Sequence, residues 1–335
     1  MPFTPSTVGK PDALAFACRG TMPLVSILVP CFNAERTLAA TLESALAQTW
    51  PRCEIVVVDD GSRDGSLALA RTFEARGVRS FTQANAGASA ARNRALREAR
   101  GEFFQFLDAD DLISPGKIAA QIALLGVRPA GLLATCAWGR FTAGPAQARF
   151  VDDAVFRDFA PVDFLVLGGN TGAMMHPSAW LVPRAVAERA GPWDESLTLN
   201  DDGEYFCRVA LASGGLVFCA ADTARSFYRS GLPGSLSQQR GERARRSQFR
   251  SVELIVQHLL AAEDSARTRR AAADYFQRFV HDFFPAPADL MRAAEMRIAE
   301  LGGSALRPAM GPRTAALARV LGWKNVWRLK HLWSS

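Results

Sequence analysis

Three carboxylates stand within four positions, directly after the apolar run 103–107, at Asp108, Asp110 and Asp111. The run predicts a buried strand, and side chains two residues apart on an extended segment point the same way. Asp108 and Asp110 should therefore converge, and two convergent carboxylates are suitable ligands for Mg²⁺ or Mn²⁺. The alternative is that these acids only cap the next helix, although Ser114-Pro115 already supplies a cap and a first-turn proline.

Two earlier strands should end at the same edge of one sheet. Residues 24–29 and 54–58 are short apolar runs typical of strands buried on both faces, and a helical pattern follows each. Alternating strands and helices predict a mainly parallel sheet with right-handed crossovers and flanking helices, an α/β fold. Ligands of such sheets bind beyond the carboxyl ends of the strands, where residues 30–33 and 59–62 lie.

The side chains at this edge suit a nucleoside diphosphate. The Phe32 ring, between Pro30 and Asn33, can stack on a base, and Asp60 can accept hydrogen bonds from a base N–H or a ribose hydroxyl. Asp110 with Asp108 could hold a cation against the phosphates. The alternative for residues 59–62, Asp-Asp-Gly-Ser, is an ordinary turn.

Four motifs, in order and spacing, resemble those of the family 2 glycosyltransferases; they are residues 25–33, 55–62, 85–93 and 106–111. The likeness covers about 23–236. It implies the GT-A fold, a nucleotide-sugar donor that is most often a UDP-sugar, a divalent metal and inversion at the anomeric carbon. By position, Phe32 and Asp60 match uridine contacts, Arg92 matches a basic residue near the base, and Asp108 and Asp110 match the D-x-D motif.

Residues 200–204 resemble the family's catalytic-base segment, with Asp202 as the base. The acid before it is Asp201 rather than the commoner Glu. Asp201 and Glu204 have the spacing of a capping box, which would make Asp201 structural and place Asp202 in the first turn. There the helix dipole favours an ionised carboxylate, which can take a proton from an attacking acceptor hydroxyl. The alternative is that both aspartates only cap the helix.

Sugar contacts are a further hypothesis for His176, Trp180 and Asp201, with a satisfied structural histidine as the alternative for His176. The Q-x-x-R-W motif of processive polysaccharide synthases is absent, which favours an enzyme that adds one sugar. The acceptor would be a glycan or a lipid-linked sugar in surface polysaccharide synthesis. A degenerate nucleotide-sugar-binding scaffold on the same fold remains the alternative, although both acid motifs are present.

Domain organisation follows the change in composition along the chain. Residues 1–22 predict a flexible leader, 23–236 the catalytic domain, and 237–335 a helical, basic extension. From 301 to 335 there are six Lys and Arg and no acid, and Val320, Trp323 and Trp327 would share one side of a helix. This pattern predicts contact with a membrane surface, or a helix packed on the catalytic domain.

Composition excludes several classes. With 49% hydrophobic and 21% charged residues in 335, the chain is neither disordered nor membrane-spanning, and 13–18 is too short for a signal core. Six scattered cysteines favour reduced thiols, so we expect a cytoplasmic protein or one at the inner membrane face. The pI near 9.3 comes from the extension, without a nucleic-acid motif. After the first strand no G-x-G-x-x-G occurs, which excludes a dinucleotide-binding dehydrogenase.

Overall fold

The computed structural model describes residues 22–232 and 239–333. These residues pack as two units. The first comprises the chain up to Phe159 with Met175–Gly191 and Ala212–Gly231, and the second comprises Ala160–Met174, Pro192–Leu211 and the chain from Leu232 onward. Apart from Met22, the predicted leader lies outside the described residues, as does the boundary predicted between 236 and 237. The segment with Asp202, predicted in the catalytic domain, packs within the second unit.

The first unit is built on two sheets. Its strands are β1 Val25–Cys31, β2 Cys53–Asp59, β3 Val78–Thr82, β4 Phe103–Phe106, β5 Leu112–Ile113, β6 Leu133–Phe141, β7 Arg149–Phe150, β8 Val182–Pro183, β9 Leu216–Cys219 and β10 Arg225–Arg229. The first sheet has the order β3-β2-β1-β4-β8, parallel except for β8. Every residue of β1 is buried, as expected for a central strand covered on both faces. The predicted α/β fold is confirmed.

Helices flank these strands and form the second unit. They are α1 Leu38–Leu46, α2 Ser66–Thr72, α3 Ala88–Glu98, α4 Lys117–Gly126, α5 Pro161–Thr171, α6 Arg184–Ala190, α7 Asp201–Leu211, α8 Glu242–Ala262, α9 Ala266–Phe283, α10 Ala288–Glu300, α11 Pro312–Leu321 and α12 Trp323–Trp333. α1 to α4 and α6 belong to the first unit, and the others to the second. The predicted C-terminal helices are therefore present.

A second sheet connects the segment with the three aspartates to strands from later in the chain. Its order is β5-β10-β6-β7, and β9 also pairs with β6. β5 follows the three aspartates directly and pairs antiparallel with β10, which runs parallel to β6. The acids therefore lie between the end of a strand in the first sheet and the start of a strand in the second.

The core of the second unit is formed by α8, α9 and α10, where Phe249, Phe276 and Phe279 pack together. α5 lies against α9 and was not predicted, because Gly168-Gly169 has the composition of a loop. The structure gives these glycines a packing role, since a Cβ on Gly169 would lie 2.6 Å from the Ala271 carbonyl oxygen. The glycines let the two helices approach closely.

The C-terminal helices differ from the single amphipathic helix that the sequence predicts. Gly322, with φ +76°, ends α11, so Val320 and Trp323 lie on different helices. Trp323 packs edge-on against His281 and Phe284, with ring centroids 5.1 and 5.3 Å away. Among the side chains that the structure describes on α11 and α12, the large exposed apolar ones are Leu317, Val320 and Leu321, all on α11.

Two further findings concern the helices and the cysteines. No helix among the described residues combines the length and apolar character needed to cross a bilayer. The five cysteines that the structure describes are free thiols.

Candidate active site

The three aspartates form a turn, and not the extended segment that the sequence predicts. β4 ends at Phe106, and the Asp111 N–H donates to the Asp108 carbonyl oxygen at 3.0 Å. Strand alternation therefore does not set the directions of the Asp108 and Asp110 side chains. The turn brings Asp111 close to Asp108 instead, and ligand atoms of Asp108, Asp111 and His176 all lie within 4.8 Å of one another. We call residues 108–111 the acid turn.

The acid turn concentrates negative charge. Burial opposes the ionisation of Asp108, but the Arg92 guanidinium, 2.8 Å away, and His176 hold its pKa below its usual range. Burial, with the charges of Asp111 and Asp108, raises the pKa of Asp110 to about 7. Carboxylates and an imidazole are donors that Mn²⁺ accepts, and a cation here would relieve the repulsion, so these residues fit a divalent metal.

Asp111 ties the acid turn to the second sheet. Its Oδ1 accepts from the Arg229 backbone N–H at 2.8 Å, and its Oδ2 lies 3.1 Å from His176 Nε2. His176 Nδ1 is 2.8 Å from the Ser178 hydroxyl, and Arg229 Nε donates to the Asp110 carbonyl oxygen at 2.8 Å. Burial raises the pKa of Asp111. Local patterns could not predict the contact between Asp111 and Arg229, because it spans 118 residues.

The segment after β1 presents an aromatic ring at the sheet edge. Phe32 is 48% exposed, whereas Pro30 is buried within β1. Asn33 has φ +50°, and its Oδ1 accepts from the Arg63 N–H at 2.8 Å while its own N–H donates to Ser62 Oγ at 2.9 Å. These contacts fix the turn so that the Phe32 ring stays available for stacking.

Asp60, directly after β2, is buried and accepts three hydrogen bonds from the loop before α3. Gln83 Nε2 and the Ala86 N–H donate to Oδ1 at 2.8 and 3.0 Å, and the Gly87 N–H donates to Oδ2 at 2.8 Å. In the structure Asp60 therefore holds this loop. The neighbouring residue, Asp59, has a buried Oδ1 atom that accepts no hydrogen bond from the described residues. The sequence analysis did not single out this acceptor.

Asp201 and Asp202 lie in the first turn of α7, in the second unit. Asn200 precedes the helix with φ +57°, and its Nδ2 donates to Ser251 Oγ at 2.7 Å. The Glu204 carboxylate is bound by Arg208, with Nε at 2.6 Å. The capping box of Asp201 and Glu204 stays a prediction.

Trp180 is only 1% exposed, and its indole N–H donates to the Met175 carbonyl oxygen at 3.4 Å. A side chain so deeply buried cannot reach a ligand without opening the core. His176, also predicted as a sugar contact, is buried beside the acid turn, so we retain neither residue among direct sugar contacts.

A mainly parallel sheet with flanking helices and an acidic turn at its carboxyl edge defines the GT-A class of glycosyltransferase folds. Residues 26–180 match the profile of glycosyl transferase family 2. The resemblance carried by the four motifs is confirmed.

Proteins of similar sequence are also named glycosyltransferases. An uncharacterized glycosyltransferase of Rickettsia typhi, RT0329, is 30% identical over 194 residues, which are 57% of this chain and 60% of that protein. WfgD of Escherichia coli, a UDP-Glc:alpha-D-GlcNAc-diphosphoundecaprenol beta-1,3-glucosyltransferase, is 40% identical over 103 residues, 30% of this chain and 41% of WfgD. The chain thus spans less than two thirds of these relatives.

In fold, the chain is similar to residues 1–349 of TarS from S. aureus, solved in complex with UDP-GlcNAc. The TM-score is 0.66 at 18% identity, over 83% of this chain and 80% of the TarS chain. At this identity the likeness concerns the fold alone.

Proposed function

We propose that the protein transfers one sugar from a UDP-sugar to a glycan or lipid-linked acceptor, with inversion, in the synthesis of a surface polysaccharide or glycoconjugate. The observation that carries this proposal is the acid turn, held by Arg92 at the sheet edge that also presents Phe32. The name of WfgD, with its UDP-glucose donor and diphosphoundecaprenol acceptor, supports the class of substrates.

The donor site follows from the same edge. Phe32 stacks on the uracil ring, Asp60 accepts from the base or ribose with its remaining lone pairs, and Pro30 and Asn33 shape the turn between them. Arg92 supplies positive charge near the nucleotide. Asp110 and Asp108, with Asp111 and His176, would hold Mn²⁺ or Mg²⁺. When bound, such an ion supplies Lewis-acid stabilisation of the departing diphosphate.

We assign Asp202 as the general base on the resemblance of residues 200–204 to the family's base segment. In the first turn of α7 the helix dipole favours its ionised form. The carboxylate removes the proton of the acceptor hydroxyl as that oxygen attacks the anomeric carbon. Asp201, beside it, would contact the acceptor or donor sugar.

Calorimetry with UDP, with and without Mn²⁺, tests the donor site. We expect metal-dependent UDP binding that weakens at least about tenfold in Asp110→Asn, because one cation ligand loses its charge. The matched control is Asp222→Asn, since that side chain is 93% exposed. Equal UDP affinity in the wild type and Asp110→Asn would contradict the proposed site.

A second variant separates an enzyme from the degenerate scaffold. Asp202→Asn should bind UDP as the wild type does but lose sugar transfer by about 10²-fold or more, because the base contributes to the transition state alone. A wild-type protein that binds UDP-sugars and releases no UDP from any of them would favour the scaffold.

We further propose that the protein works in the cytoplasm at the inner face of the membrane, and that α11 makes the contact. Leu317, Val320 and Leu321 are 47%, 82% and 42% exposed, and their spacing places them on one helical face. The surrounding residues 301–335 carry six basic and no acidic side chains, which complements anionic lipid.

Vesicle co-sedimentation tests this surface. Val320→Ser should weaken binding to vesicles containing phosphatidylglycerol several-fold, because a buried aliphatic side chain would be lost from the interface. Met296→Ser is the control, since Met296 is 62% exposed on α10 and outside the α11 face. Equal losses in both variants, or no vesicle binding by the wild type, would overturn the assignment.

A further inference from the structure

The first unit contains a cavity that the motifs do not account for. It has a volume of about 740 Å³ and is formed by β6, β7 and the segments that follow them. This volume is within the range of about 300–1,000 Å³ typical of small-molecule sites. The side chains that define its chemistry are Trp138, Arg140, Arg149, Asp153 and Phe156.

Two chains of contacts join the cavity to the acid turn. Thr142 lines the cavity, and its carbonyl oxygen is 3.5 Å from Arg229 Nη1, whose Nε donates to the Asp110 carbonyl oxygen. Trp138 lies on the same wall, and its ring centroid is 5.9 Å from that of His176, the partner of Asp111. The cavity is therefore directly beside the residues proposed to hold the donor diphosphate.

The lining combines aromatic rings with positive charge. The Arg140 guanidinium lies 5.3 Å from the Trp138 ring and 4.8 Å from the Tyr228 ring, so its planar N–H edge is held in place. Within 22–232 and 239–333, neither Arg140 nor Arg149 forms an ion pair with a carboxylate. Asp153 brings one negative charge against these two positive charges, and its Oδ1 accepts from the Val155 N–H.

Aromatic side chains complete the lining. The rings of Trp138 and Phe156 suit the apolar faces of a pyranose.

We infer that this cavity is the acceptor subsite and that it takes a sugar bearing an anionic group, either a phosphate or a carboxylate. The inference rests on the proposed function, which requires an acceptor beside the donor diphosphate. Planar guanidinium groups bind phosphate and carboxylate oxygens in pairs, so Arg140 and Arg149 select for charge while Trp138 and Phe156 hold the ring.

The test uses the full chain saturated with UDP and Mn²⁺, so that the donor site is filled. Three probes are titrated by calorimetry: methyl glucoside, glucose 1-phosphate and glucuronate. At least one anionic probe should bind about tenfold more tightly than methyl glucoside, and added salt should reduce the difference. The phosphate and carboxylate probes distinguish a phosphorylated acceptor from a uronate.

The double variant Arg140→Gln/Arg149→Gln should lose the preference for the anionic probe. Both side chains are exposed, so the substitution should leave the thermal unfolding temperature unchanged, which a melting curve checks. Arg157→Gln is the matched control, because Arg157 is an exposed arginine of the same segment that stacks on Phe159 outside the cavity lining.

Equal affinity for all three probes in the UDP-bound wild type would overturn the inference. So would a double variant that keeps the anionic preference, or a loss of equal size in Arg157→Gln. Failure of the proposed function has a different signature: the wild type would not bind UDP in the first step of the same experiment.

Discussion

Two aspartates at the same sheet edge show how a residue type can serve different purposes. Asp60 accepts hydrogen bonds from three N–H donors of the loop before α3. Asp110 instead lies beside two other carboxylates, whose charges oppose its ionisation. The first arrangement stabilises a carboxylate through hydrogen bonds, and the second destabilises it through repulsion. Substitutions at Asp60 and Asp110 should therefore act separately on stability and on affinity for the proposed cation.

Asp60→Asn should lower the free energy of unfolding by about 1–3 kcal/mol. The amide NH₂ cannot accept, so at least one donor of the 83–87 loop loses its partner on the buried side chain at position 60. Urea denaturation measures the effect, with Asp222→Asn as the exposed control. A stability of Asp60→Asn equal to that of the control would show that the hydrogen bonds to the loop do not matter.

The predictable site residues are those adjacent to an apolar run. Phe32, Asp60 and Asp110 each follow a strand that is recognisable by its apolar composition. Their location at one edge of the sheet could therefore be predicted. The partners of these residues could not, since Gln83 reaches Asp60 across 23 residues and Arg229 reaches Asp111 across 118. Such contacts depend on loop paths, which local patterns do not encode.

At the scale of elements, the turn after β2 is controlled by one glycine. Gly61 has φ +72°, and a Cβ built on it would lie 2.9 Å from the Asn85 backbone nitrogen and 3.2 Å from the Gln83 carbonyl oxygen. The glycine therefore provides both a left-handed backbone and the close approach of the loop that Asp60 holds.

Gly61→Ala should destabilise the fold by more than Gly77→Ala. Gly77 has φ +90° with open space around its Cβ position, so alanine there has only the backbone strain of about 1–2 kcal/mol. At Gly61 the clash with the backbone of the 83–85 segment adds to that strain. Chemical denaturation of both variants measures the difference, and equal destabilisation would contradict the close approach.

Element length decided what could be predicted. The strands β1 and β2 and the helices α1, α7 and α8 are long enough for their hydrophobic patterns to appear in the sequence. β5, β7 and β8 have two residues each, and their pairing depends on partners distant in the chain. α5 was missed because Gly168-Gly169, a packing contact with α9, has the composition of a loop.

At the scale of the whole molecule, acid should reduce stability through a half-buried histidine of the second unit. Burial, with the positive charges of Arg278 and Arg307, lowers the pKa of His281 to about 4. Gln277 Nε2 lies 2.7 Å from His281 Nε2, an arrangement that suits the neutral ring. The unfolded histidine titrates near 6.5 and takes up a proton at higher pH than the folded one.

Stability should therefore fall as the pH decreases from about 6.5 towards 4, because the unfolded state binds more protons in this window. The contribution between pH 7 and pH 5 is about 1 kcal/mol, allowing for the partial exposure of the ring. His281→Gln removes this titration, so its unfolding free energy should change less over the window. Identical pH profiles of wild type and variant would contradict the assignment.

The hydrogen bonds from Arg229 to Asp110 and Asp111 also imply an order in which the parts of the candidate site form during folding. Ribosomal synthesis makes β1, β2, β3 and β4 long before β10, so an emerging chain can pair these four strands while Asp111 still lacks its backbone donor. The acid turn is completed only when residue 229 returns to it, a contact of high sequence separation that forms slowly. The proposed nucleoside contact at Phe32 and the proposed cation site at Asp110 should therefore form at different times during synthesis.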